Sequence, residues 1–125
     1  MKRTDEEFLT EMKKQRFGVE IELTGISKTD VTKILAEYFN DDELFDKQGR
    51  EWNVKYDSSI YAYYRYNGSL VETSSKDYKV ELVTPILEYE DIPMLQEIVR
   101  LIRKKGGVSS ELYRCGIHIH VDDRG

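Results

Sequence analysis

Two short runs of this chain alternate between apolar and polar side chains. In Phe17-Gly18-Val19-Glu20-Ile21-Glu22-Leu23 the odd positions are apolar and two even positions are glutamates. In Cys115-Gly116-Ile117-His118-Ile119-His120-Val121-Asp122 the odd positions are again apolar, and the even ones carry both histidines of the chain. A period of two is a strand signature, because successive side chains leave a pleated strand on opposite faces. Phe17, Val19, Ile21 and Leu23 are expected on one face, as are Ile117, Ile119 and Val121. Glu20, Glu22, His118, His120 and Asp122 fall on the other.

The remaining pattern predicts three helices and a set of strands. Thr4 with Glu7 three residues later has the form of a capping box, opening a helix to about Lys14 with Phe8, Leu9 and Met12 on its apolar stripe. Ser27 or Thr29 caps a second helix to about Phe39, with Val31, Ile34, Leu35 and Tyr38 at helical spacing. The third runs from about Asp91 to Lys105, with Ile92, Leu95, Ile98, Val99 and Ile102 as its buried stripe and Gly106 as its cap. Between them, Trp52 to Asp57 and Tyr78 to Thr84 read as strands. Ile60–Tyr66 and Leu70–Thr73 flank Asn67-Gly68, a strong signal for a two-residue hairpin turn.

The order α-β-α-β-hairpin-β-α-β predicts an α+β domain over residues 1–125. A mostly antiparallel sheet has helices packed on one face and a polar, ligand-binding face on the other. An aromatic β-hairpin is expected at about 60–74. Tyr61, Tyr63, Tyr64, Arg65 and Tyr66 on it form a candidate partner surface, since tyrosine and arginine are enriched where proteins meet.

Composition narrows the chemistry. A formal net charge of −5 removes the basic footprint of a general nucleic-acid binder. One cysteine, Cys115, excludes an internal disulfide framework and a thiolate-rich zinc site, and it is expected to pack inward. No run has the apolar length of a membrane span, and the N-terminus turns acidic at once, so a cytoplasmic location is the expectation.

Glutamate is depleted in strands, so consecutive same-face glutamates are informative. Same-face neighbours on one strand stand about 6.5–7 Å apart, which separates Glu20 from Glu22 and His118 from His120 into adjacent ligand positions. Glu81, in Val80-Glu81-Leu82-Val83-Thr84-Pro85, is a third strand glutamate. Glu72 and Asp57 are further candidates, although a hairpin tip and a turn explain them almost as well. Carboxylates with an imidazole suit Mg²⁺ or Mn²⁺, and two such ions on a polar sheet are a recurrent way of holding a nucleotide triphosphate.

These motifs occur together in a known pattern. Phe17 to Glu22, then Trp52 with Asp57 and Ser59, then Glu81-Leu82-Val83-Thr84-Pro85, then Cys115 to Val121 resemble the amidoligase family, itself similar to glutamine synthetase and glutamate–cysteine ligase. The resemblance implies half of a glutamine synthetase-like catalytic domain and ATP-dependent amide formation through an acyl phosphate. It implies one metal site with Glu20 and His118, another with Glu22 and Glu81, and His120 facing the nucleotide phosphates. Such ligases usually continue beyond the histidine strand with another metal-binding glutamate and substrate-binding arginines. The expectation is therefore a partial domain, completed by a further segment or by a homodimer, with catalytic residues left unassigned.

Two other readings compete. The half-fold, with its acidity and aromatic hairpin, is compatible with a phage or mobile-element interaction protein, for example an anti-CRISPR-like inhibitor of a host nuclease or its RNA complex. The same two-ion face would also serve a metal-dependent nuclease.

Overall fold

The computed structural model describes residues 5–7 and 14–122. Most of the expected N-terminal helix, with Phe8, Leu9 and Met12, lies outside the described residues; Asp5–Glu7 are helical and exposed. The strands are β1 (Arg16–Leu23), β2 (Asn53–Tyr56), β3 (Tyr63–Tyr66), β4 (Ser69–Glu72), β5 (Val80–Val83), β6 (Leu87–Glu88) and β7 (Ile117–Asp122), and the two long helices are α1 (Lys28–Phe39) and α2 (Ile92–Lys104).

β1 organises the sheet. It pairs antiparallel with β5 over Glu20–Leu23, with β6 over Arg16–Phe17, and with β7 over Arg16–Ile21. A strand has two edges, so β5 and β6 share one edge of β1, β7 takes the other, and β2 lies outside β5. Between β5 and β6 the regular ladder breaks at Thr84-Pro85. The Thr84 hydroxyl oxygen accepts from the Val19 N–H at 2.9 Å, while the Thr84 N–H donates to the Val19 carbonyl at 2.9 Å. Proline cannot donate to a ladder, and here a side chain supplies the acceptor that a regular partner strand would have offered.

The alternation in β1 is realised as expected. Val19, Ile21 and Leu23 are buried against α1, α2 and β5, forming an α+β two-layer core with the polar residues on the opposite face. Ser27 caps α1, its hydroxyl accepting from the Asp30 N–H, and Val31 and Leu35 are fully buried. Phe39 is buried too, its ring tilted against Trp52 at 5.3 Å. Ile34 and Tyr38 pack only at the margin of the core.

Three expectations shift. The Tyr78–Thr84 strand shortens to Val80–Val83, because Lys76–Tyr78 forms a 3-10 turn capped by Ser75. The first hairpin strand starts at Tyr63, since Ile60 and Ala62 turn into the interior. Asn67 and Gly68 both adopt left-handed φ (50° and 82°), the primed turn that Asn-Gly favours. The hairpin forms a separate two-stranded sheet, tied to the end of β1 by Thr24, whose hydroxyl accepts from the Tyr63 N–H and donates to the Tyr78 carbonyl.

The third shift concerns α2. Ile98 and Ile102 are buried, but Ile92, Leu95 and Val99 are only partly covered. Opposite them, Ile117, Ile119 and Val121 lie on the helix side of β7 and remain 53–64% exposed. β7 pairs with β1 alone among the described strands, and these three side chains line an open groove with the outer stripe of α2.

A clamp fastens the loop before β2 to the start of α2. The buried Asp46 carboxylate accepts from the Trp52 indole N–H (2.9 Å) and the Arg50 Nε (3.0 Å). Arg50 then forms a two-point ion pair with Asp91 at 2.8 and 2.9 Å. Asp91 also accepts from the Glu88 N–H at 2.8 Å. Every charged partner here is matched, which is what makes so buried a network tolerable.

Candidate metal centre

The open face of the sheet collects carboxylates from three adjacent strands. Glu22 on β1 is the direct partner of Glu81 on β5. Asp57, immediately after β2, reaches the same place, and ligand oxygens of Glu22, Asp57 and Glu81 all lie within 4.8 Å of one another. That spacing is about the width of a divalent cation's oxygen shell. Glu20 stands two residues along β1, and its charge acts on Glu81.

Local structure holds each group. The Glu22 carboxylate accepts from the Gly116 N–H at 2.9 Å, where β7 begins. Asp57 accepts from both the N–H (2.9 Å) and the hydroxyl (2.7 Å) of Ser59. Asp57 is thus both a turn residue and a member of the cluster. Lys55 is the β2 partner of Glu81 on its other side.

The electrostatics reflect the crowding. Burial, followed by the neighbouring Asp57 carboxylate, raises the Glu22 pKa above the ordinary range, against the pull of the Gly116 N–H. Burial also raises Glu81, reinforced by the charges of Glu20 and Asp57. Asp57 goes the other way, held below the ordinary range chiefly by the Ser59 hydroxyl. Like charges this close disfavour one another's ionised forms, and a dication would relieve all three.

The histidines border this cluster on the side of β7. By main-chain register His118 is opposite Glu20 and His120 opposite Gly18. Their side chains reach diagonally instead. His118 Nε2 lies 3.4 Å from Glu22 and His120 Nε2 lies 3.6 Å from Glu20. Diagonal neighbours are within reach of long side chains on a sheet. The family-implied grouping of Glu20 with His118 therefore matches the register, whereas the imidazole itself leans towards Glu22.

Of the other candidates, Glu72 is exposed on β4 of the separate hairpin, outside the carboxylate cluster. Tyr61 and Tyr66 are exposed, while Tyr63 and Tyr64 pack on Tyr113 and Tyr78. Arg65 bonds the carbonyls of Gly68 and Gly106, and Arg114 lies over the Tyr61 ring at 5.1 Å. Cys115 is buried beside the acidic groups and its thiol is pushed up to about 11, chiefly by burial. The Gly116 N–H escaped the reading of the chain, because a main-chain donor leaves no mark on residue type.

The donor set is hard oxygen with flanking imidazole, which fits Mg²⁺ or Mn²⁺. Among the described residues no helix is long and apolar enough to cross a membrane. No curated protein matches the chain. A family described as "putative amidoligase enzyme" matches residues 13–124, a span holding the paired glutamates, Asp57, Glu81 and both histidines. The chain belongs to this amidoligase family.

Proposed function

We propose that this domain is the metal- and nucleotide-binding part of an ATP-dependent carboxylate–amine ligase. The observation that carries the reading is the meeting of Glu22, Asp57 and Glu81 from three strands within 4.8 Å, bordered by His118 and His120. Glu22, Asp57 and Glu81 hold one divalent cation, and Glu20 with His118 contributes to a second. His120 faces the nucleotide phosphates.

Bound there, Mg²⁺ or Mn²⁺ would neutralise phosphate oxygens during transfer to a substrate carboxylate. The chain's own residues orient that charge. The Gly116 N–H and the two Ser59 donors fix the carboxylates, so little reorganisation is needed when a cation arrives. Membership of the amidoligase family supports acyl transfer to an amine as the chemistry this face serves.

Mn²⁺ titration followed by electron paramagnetic resonance, with and without ATP, tests this. Saturable Mn²⁺ binding that ATP strengthens, and that Glu22→Gln and Glu81→Gln each weaken at least tenfold, is the expected result. Binding that is unchanged in both variants would remove the site from consideration.

A further inference from the structure

On the opposite side of the sheet from the carboxylates lies an apolar groove of about 680 Å³ between α2 and β7. Its wall is the outer stripe of α2, with Leu95 and Val99. Its floor is Val19 and Ile21 of β1 continued by Ile117, Ile119 and Val121 of β7. The three β7 side chains are 59%, 64% and 53% exposed. Contiguous exposed aliphatics of this kind mark an interaction surface rather than ordinary surface scatter.

The rim is charged with one sign. Arg100 and Arg103, one turn apart on α2, line the groove, and Arg65 lines its continuation past Gly107. No Asp or Glu appears among the described lining residues, in a chain whose net charge is −5. Among the described residues neither Arg100 nor Arg103 has a carboxylate partner within ion-pair distance. Both arginines are exposed, so their charges stand in solvent beside the groove.

We propose that this groove docks an amphipathic α-helix of a partner protein, apolar on one stripe and acidic along its flanks. The shape favours a helix. A strand added at the free edge of β7 would pair main-chain groups yet leave Ile117, Ile119 and Val121 uncovered from above. A helix laid beside α2 covers them, extending the helix layer over β7. The six residues of β7 span about 20 Å, which about thirteen helical residues would match. That is also the length of α2. The acidic flank follows from the three arginines and selects against basic amphipathic helices.

The test uses two labelled synthetic peptides of about fourteen residues, one Leu/Glu and one Leu/Lys amphipathic helix, in fluorescence anisotropy with the full chain. The Leu/Glu peptide is expected to bind saturably and the Leu/Lys peptide not to. The Arg100→Glu/Arg103→Glu double variant should weaken the first about tenfold and take up the second. Ile119→Glu, at an exposed position, should abolish binding while leaving the thermal unfolding temperature unchanged. Equal binding of both peptides, or none up to millimolar peptide, overturns the proposal. So does a concentration-dependent dimer of the free chain that Ile119→Glu abolishes, since it assigns the face to a second copy.

Discussion

Glu22 and Glu81 stand directly opposite each other in the β1–β5 ladder, with the Asp57 carboxylate beside both. Facing like charges on a sheet work against the pairing of the strands that carry them. Their side chains share the open face of a sheet whose other face holds the core, so the repulsion is set by the same register that buries Ile21 and Leu82.

Replacing one of the pair should therefore stabilise the metal-free protein. Glu81→Gln keeps the shape and removes the charge, and the expected gain is about 0.5–1 kcal/mol, a few degrees in Tm. Calorimetry in the presence of a chelator reads this directly. A lower Tm for Glu81→Gln would mean that the cluster is already neutralised by other groups.

The pH dependence follows in sign. Glu22 and Glu81 have pKa values raised above 4.5 in the folded state. Between the unfolded and folded values the native protein holds more protons, so their unfavourable contribution is absent below about 4.5 and complete above the raised values. Asp57, Asp46 and Asp91 are lowered below 3.8, and their stabilisation is lost only as pH falls through those lower values. Urea denaturation of the metal-free chain should show greater stability near pH 5 than near pH 7.5, to a smaller extent in Glu22→Gln/Glu81→Gln. His118 and His120 border the same groups, so His118→Gln/His120→Gln separates their contribution. An unchanged pH profile in the glutamine pair would contradict the assignment to the carboxylates.

Thr84 carries a main-chain duty with its side chain. Thr84→Val preserves shape but leaves the Val19 N–H without its acceptor in a buried setting. The expected cost is about 1–3 kcal/mol. Thr84→Ser retains the oxygen and should cost less. Equilibrium unfolding of the two variants makes the comparison, and equal losses would point to packing of the methyl group instead.

The buried Asp46 carboxylate accepts from the Trp52 indole N–H, the Arg50 Nε and the main-chain N–H groups of Gln48 and Arg50. Asp46→Ala strands part of the charge of Arg50 and the Trp52 indole N–H. Breaking a buried pair from one side costs about 3–5 kcal/mol, and urea midpoints at constant m-value should move accordingly. A loss below about 1 kcal/mol, in the range of a surface pair, would show that solvent replaces the carboxylate.

The linear pattern determined what depends on neighbours along the chain. Period-two alternation set the faces of β1 and β7, so the glutamates and histidines were on one side before any packing was known. Helical spacing and a cap at Ser27 or Thr29 located α1, the structure deciding for Ser27, and Asn67-Gly68 located the hairpin turn, because left-handed backbone there selects those residues. Four motifs in order carried the family. Tertiary structure alone decided which strands became neighbours. It brought Asp57 to Glu22 and Glu81, turned His118 towards Glu22, recruited the Gly116 N–H and joined Asp46 to Asp91 through Arg50. It also left Ile117, Ile119 and Val121 uncovered, although their alternation is indistinguishable from that of buried Val19, Ile21 and Leu23. Alternation reports which face a side chain leaves by, whereas burial depends on what the rest of the chain lays over that face.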